Sequence, residues 1–280
     1  FRRVLFRSLI GRTGMMLLSC GTGAWRVRSS MNTLSEALGI TCSADIGLMS
    51  ISYTCFDGES SFSHALSLTT TGVNTSRLNR LEPFVSDFPA EGIHMSGEAL
   101  HSQLDEIERI HGLYSPTALG LASALACGAF TFLLGGGPLE MILAFAGAGI
   151  GNAIRCKLGK HHFTLFMCIA VSVSSACLVY AGFLKLAELL FHISVQHEAG
   201  YICSMLFIIP GFPFITSGID LAKLDMRSGL ERLAYAIIVV MVAAVSAWLM
   251  ALLLHLKPVD FLPLELSAAQ RILFRLLASF

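Results

Sequence analysis

Residues 208–232 read IIPGFPFITSGIDLAKLDMRSGLER and combine an apolar segment, a helix break and a run of charges. The Pro-Gly-Phe-Pro sequence at 210–213 interrupts what would otherwise be a membrane-spanning helix. Inside a bilayer, the backbone groups freed by such a break must be satisfied by protein, ions or water. The break therefore predicts a lined cavity, as in secondary transporters that bind small charged substrates, or else a proline kink that only serves packing.

Charged residues follow the break at regular intervals. Asp220, Lys223 and Arg227 stand at positions i, i+3 and i+7, so on a helix they would share one face. Such a face just below the membrane predicts a gate or a vestibule that attracts anions, whereas a solvated loop that sets membrane topology explains the same charges. The candidate substrate-binding or gating residues of this block are Pro210, Gly211, Thr216, Ser217, Asp220, Arg227 and Arg232.

The composition of the chain indicates a membrane protein. Of its 280 residues, 54% are hydrophobic and 14% are charged, and the mean hydropathy is +0.70, which is too apolar for an ordinary soluble protein. Most charges precede residue 115, and long apolar runs follow. We therefore predict a membrane all-α bundle at 115–256, preceded by a small α+β module at 1–114. A connector and the start of a further apolar helix would occupy 257–280.

The composition and the residue spacing argue against several classes of function. The net charge is zero and no basic strip with interleaved aromatic residues is present, so we expect no nucleic-acid partner. The eight cysteines form no CxxC pair, and His161 and His162 would point about 100° apart on a helix, so we expect neither a metal site nor a cofactor. No nucleophile and base stand at a spacing that implies catalysis, and we do not expect an enzyme.

The predicted α+β module begins with two helices that join at the Gly-Thr-Gly sequence at 21–23. Apolar and polar residues alternate at 45–55 and again at 62–69, and Asp57-Gly58 between these runs predicts a β-hairpin. His64 lies on the apolar face of the second run. A hydrogen-bonded histidine covered by a helix is the favoured interpretation there.

Five membrane-spanning helices are predicted from the apolar runs, at 116–134, 139–154, 163–184, 201–219 and 233–256. A sixth would begin in SAAQRILFRLLASF at 267–280, where we expect the chain to be truncated. Positive residues fall in the predicted loops at 155–160 and 223–232, which the positive-inside rule places in the cytoplasm. We therefore expect a multi-pass protein of the inner (plasma) membrane whose N-terminal module is cytoplasmic.

Two polar residues lie near the ends of the second predicted span. Glu140 either faces a transport pathway or stands at a helix N-terminus, where the helix dipole favours an anion. Asn152, near the other end, allows an equally open choice between a functional and a structural role. The span between them is rich in glycine and alanine, which indicates close packing against a neighbouring helix.

Three stretches together resemble the threonine/serine exporter family: GTGAWRV at 21–27, YSPTALGLASALACGAFTFLLGGGPLEMILAF at 114–145 and IIPGFPFITSGIDLAKLDMRSGLERL at 208–233. In that family a cytoplasmic module precedes a membrane bundle, and a second membrane half belongs to the same chain or to a separate small subunit. The split form resembles a two-subunit bacterial succinate exporter. The resemblance implies a half-transporter whose partners are a second transporter half, the lipid bilayer and a small polar substrate.

The resemblance extends to individual positions. The matching residues of the N-terminal motif are Gly21, Arg26 and Val27, and those of the proline-glycine block are Pro210, Gly211, Asp220, Ser228, Gly229 and Arg232. The chain has Gly23 and Arg28 where the family usually has acids, which argues against a carboxylate role in the first motif. Glu140 agrees with the acidic position after the glycine turn, and the resemblance favours a functional role for it.

We expect export of threonine or serine, or of a dicarboxylate such as succinate, coupled to protons. Backbone N–H groups freed near Gly211 would hold the substrate carboxylate, with the hydroxyls of Thr216 and Ser217 as partners. Asp220 or Glu140 would take the coupling proton. The alternative is a regulatory or structural membrane subunit with a sensing cytoplasmic module.

Overall fold

The computed structural model describes residues 2–69, 71–110, 114–161, 163–191 and 198–256, together with Ser267, Gln270 and Ile272. The chain forms two compact units. One contains residues 1–113 and 211–236, and the other contains residues 114–210 and 237–280. The segment after the proline-glycine break thus groups with the N-terminal residues. The predicted start of a sixth span lies almost entirely outside the described residues.

Helices dominate the described residues, and one small sheet lies on the N-terminal side. The helices are α1 (Arg2–Ser19), α2 (Ala24–Ala37), α3 (Thr75–Asp87), α4 (Gly97–Glu108), α5 (Pro116–Leu133), α6 (Pro138–Lys160), α7 (Leu165–Phe191), α8 (Glu198–Cys203), α9 (Gly211–Ala222) and α10 (Met226–Leu253). The strands are β1 (Thr41–Ile46), β2 (Ser50–Phe56) and β3 (Ser61–Ser67). Short 3₁₀ turns lie at Gly92–His94 and Leu206–Ile208.

The three strands form an antiparallel sheet in the order β1-β2-β3. Residues of the central strand β2 alternate between buried and exposed, as expected for a sheet with one covered face. Its buried residues Ile51, Tyr53 and Cys55 join a core to which α1, α2, α3 and α4 also contribute. The predicted hairpin is confirmed, because β2 and β3 pair on either side of a turn at 57–60.

The structure contradicts the prediction for His64. This residue is exposed on β3 rather than covered by a helix. The reason is that β3 is an edge strand, where Phe62 and Leu66 on the same face are themselves only half-buried. The imidazole packs instead against the Phe62 ring, with 5.8 Å between the ring centroids.

The two N-terminal helices meet at the Gly-Thr-Gly sequence, as predicted. Gly21 has a φ of +81°, a left-handed conformation that favours glycine, and the Thr22 hydroxyl donates to the Leu17 carbonyl at 2.9 Å. α2 then begins with Gly23 as its N-cap, which supplies no side-chain oxygen. The first N–H groups of α2 therefore need an acceptor from another segment.

Three of the described helices, α6, α7 and α10, are long and apolar enough to cross a membrane, and α5 is a shorter apolar helix. The segments Ala199–Ile208 and Gly211–Ala222 add a fourth candidate if they form one broken span, and they can also form a re-entrant loop. The predicted helix break at Pro210 is therefore confirmed. The number of five spans stays a prediction.

Two of the predicted loops are partly helical. α6 continues to Lys160, so Arg155 and Lys157 lie in its last turns. Cations at a helix C-terminus interact favourably with the helix dipole, which explains why the helix runs through them. α10 likewise begins at Met226, so Arg232 is a helical residue.

α6 and α7 pack closely, as the small residues of α6 predicted. A Cβ atom at Gly147 would lie 2.9 Å from the carbonyl oxygen of Ala176. A Cβ atom at Gly151 would lie 2.8 Å from the Ala176 Cβ. Since real Cβ contacts are longer, these two positions accept only glycine unless α7 moves.

We expect Gly147→Ala to lower the thermal unfolding temperature of the purified chain, because displacing α7 costs about 1–3 kcal/mol. Gly182→Ala on α7 is the matched control, since nothing lies within 4 Å of its Cβ position and alanine favours a helix. Unfolding in detergent, followed by intrinsic fluorescence, compares the two variants. Equal unfolding temperatures for both variants would contradict the close contact.

Candidate functional site

Asp220 and Arg232 form a buried ion pair in the first unit. Their side chains are 0% and 4% exposed, and 3.3 Å separates Arg232 Nε from Asp220 Oδ2. Ser228 Oγ bridges the pair, because it donates to Asp220 Oδ2 at 3.0 Å and accepts from Arg232 Nε at 3.2 Å. We call Asp220, Ser228 and Arg232 the charged cluster. Such extra hydrogen bonds are needed to offset the removal of two charges from water.

The end of α9 and the start of α10 position this cluster. Leu224 has a left-handed φ of +63°, which a helix cannot continue through. The Asp225 amide donates to the Asp220 carbonyl at 2.9 Å, and α10 begins at the next residue. Ser228 and Arg232 are four residues apart on α10 and therefore lie on the same face, toward Asp220.

α10 approaches α9 closely because Gly229 has no side chain. A Cβ atom at this position would lie 2.7 Å from the Leu221 side chain. The Gly229 carbonyl accepts a hydrogen bond from Ser217 Oγ at 2.8 Å. The Ser-Gly sequence at 228–229 thus supplies one residue to the charged cluster and one to the contact with α9.

The prediction that Asp220, Lys223 and Arg227 share one helix face is wrong. Asp220 lies on α9 and Arg227 on α10, and the chain reverses between them at Leu224. Asp220 is fully buried, whereas Lys223 and Arg227 are exposed. Arg227 pairs with Glu231 at the surface, with 3.1 Å between Nε and Oε1. The spacing rule fails here because it assumes one continuous helix.

The N-terminal motif supplies the remaining partners of the charged cluster. Arg232 Nη1 donates to the Gly21 carbonyl at 3.2 Å, and Nη2 donates to the Thr22 carbonyl at 2.7 Å. Asp220 Oδ1 accepts from the Trp25 amide at 3.5 Å, at the N-terminus of α2. A carboxylate there provides the acceptor that the N-cap glycine lacks and balances the positive end of the helix dipole.

Gly23 makes room for this carboxylate. A Cβ atom at residue 23 would lie 2.7 Å from Asp220 Oδ1. Residue 23 has no side chain, and the Asp220 carboxylate fills the space. The acidic group at the start of α2 comes from α9.

Other predicted site residues take part in the fold rather than in the charged cluster. Thr216 Oγ1 donates to the Phe212 carbonyl of its own helix at 3.0 Å. Arg26 pairs with Glu82 at 2.8 Å on the surface, and Val27 is a fully buried core residue. Of the N-terminal motif residues predicted from the resemblance, the structure brings only Gly21 to the charged cluster.

Pro210 and Gly211 mark the start of α9. Pro210 is half-buried and Gly211, the first residue of the helix, is exposed. The first N–H groups of α9 have no acceptor within the helix, as at any helix N-terminus. The break thus makes α9 a short helix of its own that ends in the charged cluster.

Sequence reasoning did not select Ser228, Thr22 or Trp25 as site residues. Ser228 matched the family block, so that match was the available signal. Thr22 and Trp25 contribute backbone atoms, and residue type gives no sign of a backbone contact. Trp25 also lies under a cation, because the Lys223 ammonium is 5.8 Å from the ring centroid.

Glu140 occupies a second buried polar site, in the other unit. Its Oε2 accepts from the Gly137 amide at 2.8 Å, and its Oε1 accepts from the Gly200 amide at 3.3 Å. The hydroxyl of Tyr180 is a third hydrogen-bond partner. The first contact caps the N-terminus of α6, so the helix-terminus interpretation of Glu140 is confirmed. A role in a pathway stays a prediction.

Asn152 connects α6 to α5. Its side chain is buried, and Nδ2 donates to the Ser123 hydroxyl at 3.2 Å. This contact explains the burial of a polar amide between two apolar helices. A part of Asn152 in gating stays a prediction.

The described ranges show no metal-binding arrangement. In them, no three or more His, Cys, Asp or Glu side chains are grouped so that they could hold an ion. Of the adjacent histidines, His161 follows α6, and His162 lies outside the described residues. The buried carboxylates of Asp220 and Glu140 are held by the hydrogen bonds given above.

The long apolar helices, the broken segment before α9 and the buried polar sites are features of a multi-pass membrane protein. The model of a family described as "Putative threonine/serine exporter" matches residues 8–255. The match includes the N-terminal motif, Glu140 and the whole charged cluster, and the chain belongs to this family of membrane exporters. Comparisons with curated proteins and with solved structures gave no match.

We expect Arg232→Met to destabilise the chain by about 3–5 kcal/mol, because it leaves the Asp220 charge buried without a partner. Adding Asp220→Asn should recover much of the loss, since no unpaired charge remains. Arg227→Met is the control, because its ion pairs with Glu231 and Asp45 are exposed to solvent, and exposed pairs contribute little to stability. Urea unfolding in detergent gives the values, and strictly additive losses in the double variant would contradict a coupled pair.

Proposed function

We propose that the chain is one half of an inner-membrane exporter of small zwitterionic amino acids such as threonine and serine. The observation that carries the proposal is the charged cluster, which places one buried negative and one buried positive group in a single hydrogen-bonded site. Membership of the exporter family supports threonine- or serine-like substrates.

The two charges suit a zwitterion better than a dicarboxylate. An amino acid brings an ammonium group for Asp220 and a carboxylate for Arg232, so each buried charge keeps a partner. A dicarboxylate such as succinate would place an anion beside Asp220, and like charges repel strongly in a buried site. The hydroxyl of threonine or serine can also exchange hydrogen bonds with Ser228. We therefore favour the amino acids over succinate.

Arg232 donates hydrogen bonds that a substrate carboxylate can accept in place of the present acceptors. Its Nη1 and Nη2 donate to the neutral carbonyls of Gly21 and Thr22. A carboxylate accepts stronger, charge-assisted hydrogen bonds from a guanidinium group. Substrate binding would therefore release the Gly-Thr-Gly sequence from α10. We propose that this exchange couples occupancy of the site to movement at the start of α2.

The hydroxyls near the break serve the fold in this proposal. Thr216 and Ser217 already donate to backbone carbonyls, so they retain only acceptor capacity for a ligand. A substrate carboxylate needs donors, which Arg232 supplies. We place the carboxylate on Arg232 and assign the helix start at Gly211 to positioning α9.

Glu140 is the proposed carrier of the coupling proton. The groups that hold its carboxylate are neutral: two backbone amides and the hydroxyl of Tyr180. The charge of Asp220, in contrast, is balanced by Arg232. A buried acid with neutral partners is the one that can gain and lose a proton without leaving an arginine unpaired.

The proposed orientation places the N-terminal module in the cytoplasm. The positive residues at 155–160 and 223–232 favour this orientation by the positive-inside rule. A second transporter half, from a separate subunit or from further sequence, would complete the pathway. In the regulatory-subunit alternative, the cytoplasmic module would bind a regulator and the membrane helices would only anchor it.

Uptake into everted vesicles tests the proposal, because the cytoplasmic face of the membrane is then outside. Vesicles with the chain, alone or with the proposed second half, receive labelled threonine or succinate under a proton gradient. We expect threonine uptake, lowered about tenfold or more by Asp220→Asn, since a charged hydrogen bond is worth about 1.5–3 kcal/mol. Arg227→Gln, at an exposed pair, should leave uptake unchanged.

The amount of each variant in the membrane is measured first, so that a loss of insertion is not taken for a loss of transport. Uptake of succinate but not of threonine would overturn the assignment to zwitterions. Threonine binding without uptake, with both halves present, would favour the regulatory subunit.

Glu140→Gln tests the proton carrier. Glutamine keeps one acceptor oxygen, for one of the two amides, but cannot release a proton. We expect the variant to exchange labelled for unlabelled threonine while it no longer accumulates threonine against a gradient. Both assays use the same vesicles. Equal loss of exchange and accumulation would show that Glu140 only caps α6.

A further inference from the structure

β1 and β2 bring two cysteines directly opposite one another in the first unit. Cys42 on β1 pairs in register with Cys55 on β2, and both are free thiols. Cys55 is fully buried, whereas Cys42 is half-buried and can be reached from solvent. The proposed export function uses neither residue.

The strand register places this pair at a non-hydrogen-bonded position. The Gly47 amide donates to the Ser50 carbonyl at 2.8 Å, so these residues form a hydrogen-bonded pair at the end of the ladder. Hydrogen-bonded and non-hydrogen-bonded pairs alternate along an antiparallel ladder. The Cys42–Cys55 pair is five positions from the Gly47–Ser50 pair, so it is of the non-hydrogen-bonded kind. Cα atoms of a non-hydrogen-bonded pair are about 4.5 Å apart, within the range of about 4.4–6.8 Å found in disulfides.

Neighbouring groups make the two thiols chemically different. The hydrogen bond from Cys42 lowers the pKa of Cys55 against the opposing effect of burial, and the Arg7 guanidinium lowers it further. The same hydrogen bond, together with burial, raises the pKa of Cys42. Cys55 is therefore the better thiolate, and Cys42 is the more accessible sulfur. The exposure of Cys42 suits the sulfur that carries the adduct, and the lowered pKa of Cys55 suits the thiolate that resolves it.

We propose that Cys42 and Cys55 form a reversible redox site that takes a small-molecule disulfide of the glutathione class. Cys42, once deprotonated, attacks one sulfur of this disulfide, whose S–S bond breaks and releases a thiolate. The Cys55 thiolate then attacks the Cys42 sulfur, which forms the protein disulfide and releases the second thiolate. The two cysteine protons go to the released thiolates. Two cysteine thiols are thus oxidised, and one small disulfide is reduced to two thiols.

The protein disulfide would restrain a hairpin that contacts the start of α10. The Leu48 amide in the loop of this hairpin donates to Glu231 Oε2 at 2.7 Å, and Asp45 on β1 pairs with Arg227. A covalent bond between the two strands limits the freedom of the hairpin in the unfolded chain and during local opening. Oxidation therefore stiffens the hairpin against the helix that carries Arg232.

Oxidation of the purified full chain in detergent tests the site. The protein is incubated with excess oxidised glutathione, remaining thiols are alkylated, and the digest is analysed by mass spectrometry. We expect a linked peptide pair that contains Cys42 and Cys55, together with a higher thermal unfolding temperature. Dithiothreitol should reverse both changes.

Single substitutions separate the steps. Cys55→Ala should accumulate a stable glutathione adduct on Cys42, and Cys42→Ala should show neither linkage nor the rise in unfolding temperature. Cys20→Ala, which removes another buried thiol of the same unit, is the matched control and should behave like the parent. Because Cys42 is half-buried, its variant keeps the test valid even where Cys55→Ala does not fold. A folded parent that shows no linkage, or that retains the adduct on Cys42, would overturn the proposal.

Discussion

The pairing of Asp220 with Arg232 is the interaction on which the first unit depends. Two charges removed from water must find nearly all of their hydrogen bonds within the protein. Arg232 therefore requires the carbonyl groups at the end of α1, and Asp220 requires the amide at the start of α2. Segments about 200 residues apart in the chain are held together by this requirement, since Arg232 and Gly21 are separated by 211 positions.

The same requirement explains the glycines around the charged cluster. Gly23 leaves space for the Asp220 carboxylate, and Gly229 lets α10 approach α9. Gly21 adopts the left-handed conformation that ends α1 and turns its carbonyl group to the arginine. Each glycine thus serves a different step in building one small site. An export cycle that exchanges the partners of Arg232 would act on this network directly.

The local sequence pattern was sufficient to predict several elements of the fold and insufficient to predict others. The two N-terminal helices, the hairpin and the break at Pro210 follow from turn residues and periodicity, which act over a few residues. The prediction of one charged helix face from Asp220 to Arg227 was wrong because the chain reverses at Leu224, and leucine gives no turn signal in a sequence. The prediction for His64 was wrong because the alternation of apolar and polar residues shows which face of the sheet a residue lies on. It does not show whether a helix covers that part of the strand.

The sequence by itself determined that this chain enters a membrane and which family it resembles, because long apolar runs and motif spacing are properties of consecutive residues. It also indicated the charged residues Asp220, Arg232 and Glu140 as candidate site residues. Only the tertiary structure decided that Asp220 and Arg232 are buried together while Arg227 is exposed. The physical reason is that their partners include backbone carbonyl and amide groups of a distant segment, and every residue type except proline carries both groups.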